Sequence, residues 1–209
     1  MPTPRIIFAL LALSILPSVP LVAQNAPATA PAVAAPKPVP GSIASHPGWP
    51  VAKPEDVKSI EAITAAVYDV ISGPAGKARD WDRFRSLFVP DARLMPVRVP
   101  RPSTDPAAPP PHNDIAPFTV EDYIARSSPA MTTQGFAERG VANRVEAFGN
   151  IAHVWSTYES RHSFADAQPF ARGINSITLI KDGDRYWIVQ ILWDSERPGS
   201  PIPEKYLSK

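Results

Sequence analysis

The sequence predicts an α+β fold, a cone-shaped curved antiparallel sheet packed on three helices that lie mostly N-terminal to it. Two observations predict it. Tight-turn signals at Gly149-Asn150 and Asp182-Gly183 each separate two runs with strand character, residues 141–148 from 151–162 and residues 173–181 from 184–194. Gly-Asn and Asp-Gly pairs supply the positive φ angles that two-residue hairpin loops need. Ahead of these hairpins, apolar residues recur at helical spacing. Helices followed by a curved sheet enclose one pocket.

The chain has 209 residues, divided into four parts. Residues 1–23 read as a secretory signal peptide, with Arg5 ahead of an apolar run over 6–16 that is short for a membrane span. Cleavage is expected before Gln24, so the protein is exported to the periplasm or exterior of a bacterium, with no membrane attachment afterwards; an uncleaved anchor is the competing reading. Residues 24–53 form a disordered Ala/Pro-rich spacer, too poor in large apolar side chains to offset its ordering entropy. Trp49 is its one residue suited to docking. The domain covers 54–196 and a tail covers 197–209.

Helix one starts at Pro54, with Glu55 and Asp56 at its positive end, and carries Val57, Ile60, Ile63, Val67, Val70 and Ile71 as one stripe until Ser72-Gly73-Pro74 ends it. Helix two spans 80–87 with Trp81, Phe84 and Leu87 inward, and a first strand covers 92–99. A Pro-rich loop fills 100–117. Helix three opens at the Thr119 cap, with Asp122 in a partial capping box, and stops at Ser127-Ser128-Pro129.

With zero cysteines there is no disulfide, thiolate metal site or cysteine nucleophile. A net charge of +1 favours no nucleic-acid partner. The four histidines, at 46, 112, 153 and 162, lack metal-ligand spacing, so no metal is expected, and no cofactor either.

In the last hairpin, opposite charge on Lys181 and Asp184 selects an Asp182-Gly183 loop. That register places Leu179 with Tyr186, Ile177 with Ile188 and Asn175 with Gln190 on one face, and Trp187, Val189, Ile191 and Trp193 on the other. The first hairpin places Val145 with Val154, Asn143 with Ser156 and Val141 with Tyr158 on the helix side. Glu146 with His153 and Arg144 with Trp155 then face outward.

Asn175 and Gln190 on an apolar face must bond each other, water or a ligand. The ligand reading adds Tyr158 and Asn143, with Trp81, Phe84 and Tyr123 as apolar walls, a site for a small apolar molecule bearing a carbonyl or hydroxyl. Asp194, Glu159 and His162 are the acid/base candidates; solvated strand ends are the alternative. The second apolar face calls for a cover, and a homodimer centred on Trp187, Val189, Ile191 and Trp193 is expected to supply it; the competing cover is the tail or spacer folding back.

The segments 80–92, 118–124, 172–177 and 182–189 resemble the SnoaL-like branch of the nuclear transport factor 2-like superfamily over residues 54–196. The resemblance implies the cone fold, and a range of functions that includes polyketide cyclases, ketosteroid isomerase, dehydratases and non-enzymatic binding domains. Two functions are carried forward. One is an exported domain that binds a small apolar ligand or a protein partner. The other is a cofactor-free isomerase, cyclase or dehydratase using general acid/base catalysis.

Overall fold

A computed structural model describes residues 37–98, 105, 107 and 112–207; the signal segment, the spacer as far as residue 36 and most of the Pro-rich loop lie outside these. Four helices, α1 (Pro54–Val57), α2 (Ile60–Ile71), α3 (Trp81–Ser86) and α4 (Val120–Gln134), pack on a six-stranded sheet. The strands are β1 (Phe88–Arg98), β2 (Asp114–Ile115), β3 (Ala137–Phe148), β4 (Ile151–Arg161), β5 (Ala171–Asp182) and β6 (Arg185–Ser195), in spatial order β2-β1-β6-β5-β4-β3. Strands β3 to β6 form an antiparallel meander, as expected. The sheet as a whole is mixed, because β1 runs parallel to β6.

Helix one divides. Ser59 accepts a hydrogen bond from the Ala62 amide and caps α2, so the chain turns between α1 and α2. The predicted stripe is buried apart from the half-buried Ile60, with Ile63 at its centre. Helix α4 passes through Pro129 rather than stopping before it. Its capping box is complete: the Asp122 amide donates to Thr119 Oγ1, and Asp122 accepts from the Thr119 amide. Ion pairs fasten the short α3 on both sides, Arg83 to Asp56 and Asp69, and Arg85 to Glu121.

Both hairpin loops hold glycine at their first central position, Gly149 at φ +55° and Gly183 at φ +56°. In the first hairpin Phe148 faces Ile151 and Val145 faces Val154, as predicted. In the second the loop is Gly183-Asp184, and Asp182 faces Arg185. That loop keeps an opposite-charge pair and spares aspartate the positive φ.

Two β-bulges in the meander alter its faces. One at Val141 leaves Gly140, not Val141, opposite Tyr158. The other at Val189 shifts Gln190 to face Thr178, Ile191 to face Ile177 and Trp193 to face Asn175. An extra residue reverses which side chains face inward beyond it. Asn175 and Gln190 are therefore on opposite faces, and Ile191 and Trp193 turn toward the helices.

Before α1, Trp49 donates its indole N–H to the Phe88 carbonyl at 3.0 Å, and Ala52 is buried. Among the described residues no helix is long and apolar enough to cross a membrane.

Candidate functional site

The inner sheet face and the helices line a partly open cavity of about 290 Å³. Its helical side is mostly apolar, with Val67 and Ile71 from α2, Phe84 from α3, and Tyr123 and Met131 from α4; Ser127 of α4 is its polar exception besides Tyr68. Its sheet side is where polar atoms gather, through Glu138, Ser160, Asn175, Tyr158 and Ser195. Tyr68 of α2 reaches across to them.

Glu138 is the one acidic side chain of the lining. Ser160 Oγ donates to its Oε2 at 2.6 Å, and the Asn175 side chain hydrogen-bonds to it as well. Burial pushes its pKa from the ordinary 4.5 up to about 7, only partly offset by those two bonds. Asn175 Nδ2 also donates to Tyr68 Oη at 3.0 Å, and Tyr68 Oη lies 2.6 Å from Ser156 Oγ. Tyr158 Oη is 3.0 Å from Ser195 Oγ. Burial is also the largest influence on the phenols of Tyr68, Tyr123 and Tyr158, and holds each above its ordinary value. They stay neutral and able to donate.

Two local devices fix this arrangement. Ser72, just past α2, accepts the Glu138 amide at 2.9 Å and donates to the Tyr68 carbonyl at 2.7 Å. One hydroxyl thus ties the backbones of both polar residues together. Gly173 lies opposite Tyr158, and a Cβ there would run into the Asp194 carbonyl and come within 2.6 Å of Tyr158 Oη. Glycine lets the Tyr158 ring lie flat across β5 and reach Ser195.

Of the sequence-predicted ligand residues, Asn175, Tyr158, Phe84 and Tyr123 meet in this cavity. Trp81 stands behind it, edge-on to Phe84 at 5.6 Å, with its indole N–H donated to Ser128 Oγ. Gln190 is turned outward by the Val189 bulge and bonds Thr178. Asn143 lies further along β3 and is exposed. None of the three acid/base candidates lines the cavity. Asp194 is on the outer face, paired with Arg197 at 2.6 Å. Glu159 is also outside, bonded to Arg161 at 2.9 Å and Arg139 at 3.2 Å, which hold its carboxyl below the ordinary range. His162 follows β4, exposed and stacked on Phe170 at 4.7 Å. Glu138 escapes the sequence reading because β3 is predicted to begin at residue 141; the signal was alternation over Phe136, Glu138 and Gly140, disguised by the bulge at Val141.

The outer face has its own cover. Thr157 Oγ1 donates to the Tyr206 carbonyl at 2.5 Å, Trp155 packs on the Tyr206 ring, and Ile202 is buried. Of the four residues predicted at a dimer centre, Ile191 and Trp193 line the inner cavity, a correction that follows from the Val189 bulge. Trp187 is buried beneath the Arg185 guanidinium. His153 bonds Ser176 at 2.8 Å, and Arg144 pairs with Glu146. Among the described residues no group of three or more His, Cys, Asp or Glu is placed to hold a metal.

No family model and no curated protein matches the chain. Solved structures do. A Nostoc punctiforme protein of unknown function with a cystatin-like fold matches at TM-score 0.47 and 11% identity, covering 69% of this chain and 92% of its own. A candidate dehydratase of the nuclear transport factor 2-like family from Streptomyces avermitilis matches at 0.46 and 14%, covering 68% and 96%. A nuclear transport factor 2-like protein of unknown function from Silicibacter pomeroyi matches at 0.40 and 14%, covering 66% and 92%. Two of these three are described as nuclear transport factor 2-like.

Proposed function

We propose that the cone cavity binds a small, largely apolar molecule carrying a carbonyl or hydroxyl, and that Glu138 moves a proton on it without a cofactor. The observation that carries this is a lone carboxyl in an aromatic-lined cavity, with its pKa raised to about 7. A base is most useful when its pKa lies near the working pH. Ionised Glu138 can take a proton from a carbon beside a carbonyl. The Ser160 hydroxyl and Asn175 amide aim the carboxyl. A neutral phenol, Tyr158 or Tyr68, can donate to the oxygen that gains charge. Returned to another carbon, the proton completes an isomerisation; given instead to a departing β-hydroxyl, which leaves as water as the carbon–carbon double bond forms, it completes a dehydration and restores ionised Glu138.

The second reading, binding without chemistry, is supported by the way Asn175, Tyr68 and Ser156 already satisfy one another. The two separate by experiment. A neutral cyclic ketone is incubated with the protein in D₂O, and deuterium uptake at its α-carbon is followed by NMR. Catalysed uptake should rise through pH 7 and fall at least 100-fold in Glu138→Gln, since general-base contributions are on the order of 10²–10⁴. Saturable binding with uptake no faster than buffer supports the binding reading and overturns the catalytic one.

Export is part of the same proposal, supported by the apolar run after Arg5. Mature protein recovered outside the cytoplasm should begin near Gln24. An intact Met1 on soluble cytoplasmic protein contradicts it.

A further inference from the structure

The cavity is one-sided in charge. Its lining contains the Glu138 carboxyl and no lysine, arginine or histidine. Other structural carboxylates of the domain meet a guanidinium: Asp56 meets Arg83 at 2.8 Å, Glu121 meets Arg85 at 2.6 Å, and Glu159 meets Arg161 at 2.9 Å. The partners of Glu138 inside the cavity are a hydroxyl and an amide. Six aromatic residues line the same cavity, Tyr68, Phe84, Tyr123, Phe136, Tyr158 and Trp193. Aromatic faces attract cations, most strongly where water is excluded. A carboxylate shielded from water is stabilised by any cation that can reach it.

We propose that this cavity takes up a compact organic ammonium ion, with Glu138 as its counter-ion and the aromatic rings as its walls. The guest supplies the positive charge that the lining lacks. A cavity of about 290 Å³ accepts roughly one ring with a short side chain, since about half that volume holds benzene. An anion of the same shape is excluded, because it would meet Glu138 with no cation beside it. The inference rests on the cavity as a ligand site and goes beyond its proton chemistry. An ammonium ion seated on Glu138 occupies the base and stops proton transfer.

The titratable groups facing Glu138 are Tyr68 from α2, Tyr123 from α4 and Tyr158 from β4; α3, β5 and β6 contribute none to the lining. The three phenols remain neutral well above pH 8. Any change in cation affinity between pH 6 and 8 therefore belongs to Glu138.

Calorimetric titration of the whole protein with 2-phenylethylamine, 2-phenylethanol and phenylacetate tests this. The amine should bind about tenfold more tightly at pH 8 than at pH 6, following the ionised fraction of a carboxyl with a pKa of about 7. It should release a proton on binding near pH 7. The alcohol should bind independently of pH, and phenylacetate least well. Glu138→Gln should erase the pH dependence and bring the amine to the level of the alcohol. Glu138→Asp keeps the charge and should keep the pH dependence, which guards against a fold defect in the amide variant. The idea is overturned if the amine binds no better than the alcohol at pH 8, if none of the three binds, or if the pH dependence survives in Glu138→Gln. Failure here leaves deuterium uptake from a neutral ketone untouched, and amine binding without uptake sinks only the proton chemistry.

Discussion

Glu138 and Glu159 belong to neighbouring rungs of one strand pair: β3 and β4 place Glu138 opposite Ser160 and Arg139 opposite Glu159. Alternation sends Glu138 and Ser160 inward, and Arg139 and Glu159 outward. The inner carboxyl meets a hydroxyl and loses water, so its pKa rises to about 7. The outer carboxyl meets Arg161, Arg139 and, at 3.7 Å, Arg172, so its pKa falls. Two glutamates about one residue apart in the sheet therefore respond to protons in opposite ways. In Glu138 burial outweighs the two hydrogen bonds and sets the sign, whereas in Glu159 the guanidinium bonds outweigh burial. The outer row is built for stability, and the inner row holds a charge that folding does not need.

The largest expected effect comes from breaking the outer row. Arg161 is 8% exposed, and Glu159 is its carboxylate partner. Glu159→Ala leaves a nearly buried guanidinium without its counter-ion, which should cost about 3 kcal/mol at pH 7, the lower end for a broken buried pair. Urea denaturation measures it. Because the folded pKa of Glu159 is depressed, its contribution is present above the unfolded carboxyl pKa and disappears as pH falls through the folded value. The variant and the parent should therefore converge in acid. A loss below about 1 kcal/mol at pH 7 would mean the arginines are satisfied by solvent, in the range of surface pairs.

The inner row should give the opposite sign. The folded pKa of Glu138 is raised, so its contribution is fully present below the ordinary value of 4.5 and is lost as pH rises through about 7. Glu138→Gln removes that loss. It should be more stable than the parent by up to about 3 kcal/mol at pH 8, with the gain vanishing near pH 4. A stabilising substitution that abolishes proton transfer is the pattern of a residue kept for function rather than for folding. Equal stability of the two proteins at pH 8 would show that Glu138 is well solvated in the folded state.

How much of this was legible in the sequence divides along the same faces. The α2 stripe, the Thr119 cap and the Gly149-Asn150 register follow from local spacing, which one chain segment encodes by itself. Apolar walls such as Phe84 and Tyr123 follow too, because helical periodicity points them inward. The polar half of the cavity does not. Val189 bulges between Trp187 and Leu192, a stretch apolar but for Gln190, where no glycine or proline marks an extra residue. One unmarked residue sends Gln190 outward and brings Trp193 in. Glu138 sits on a rung between Gly135 and the Val141 bulge, where charge and glycine mask the strand. The parallel pairing of β1 with β6 joins residues about a hundred positions apart, and no local pattern records it.

The smallest effect tests whether the two faces are independent. On the outer face, Thr157 is fully buried under the C-terminal segment and donates to the Tyr206 carbonyl, the same segment that buries Ile202. Thr157→Val keeps the shape of the side chain and removes that donor, leaving one carbonyl that can turn toward water. The expected loss is about 1 kcal/mol, typical of a single neutral hydrogen bond. It should appear locally, as faster amide exchange over residues 202–207, because a terminal segment opens more easily than the sheet beneath it. Thr157 points away from the cavity while its neighbours Ser156 and Tyr158 point in. Amine affinity and deuterium uptake should therefore stay within twofold of the parent. If loosening the outer segment also weakens the cavity, the coupling must run through β4, and the inner and outer rows are then one structural unit rather than two.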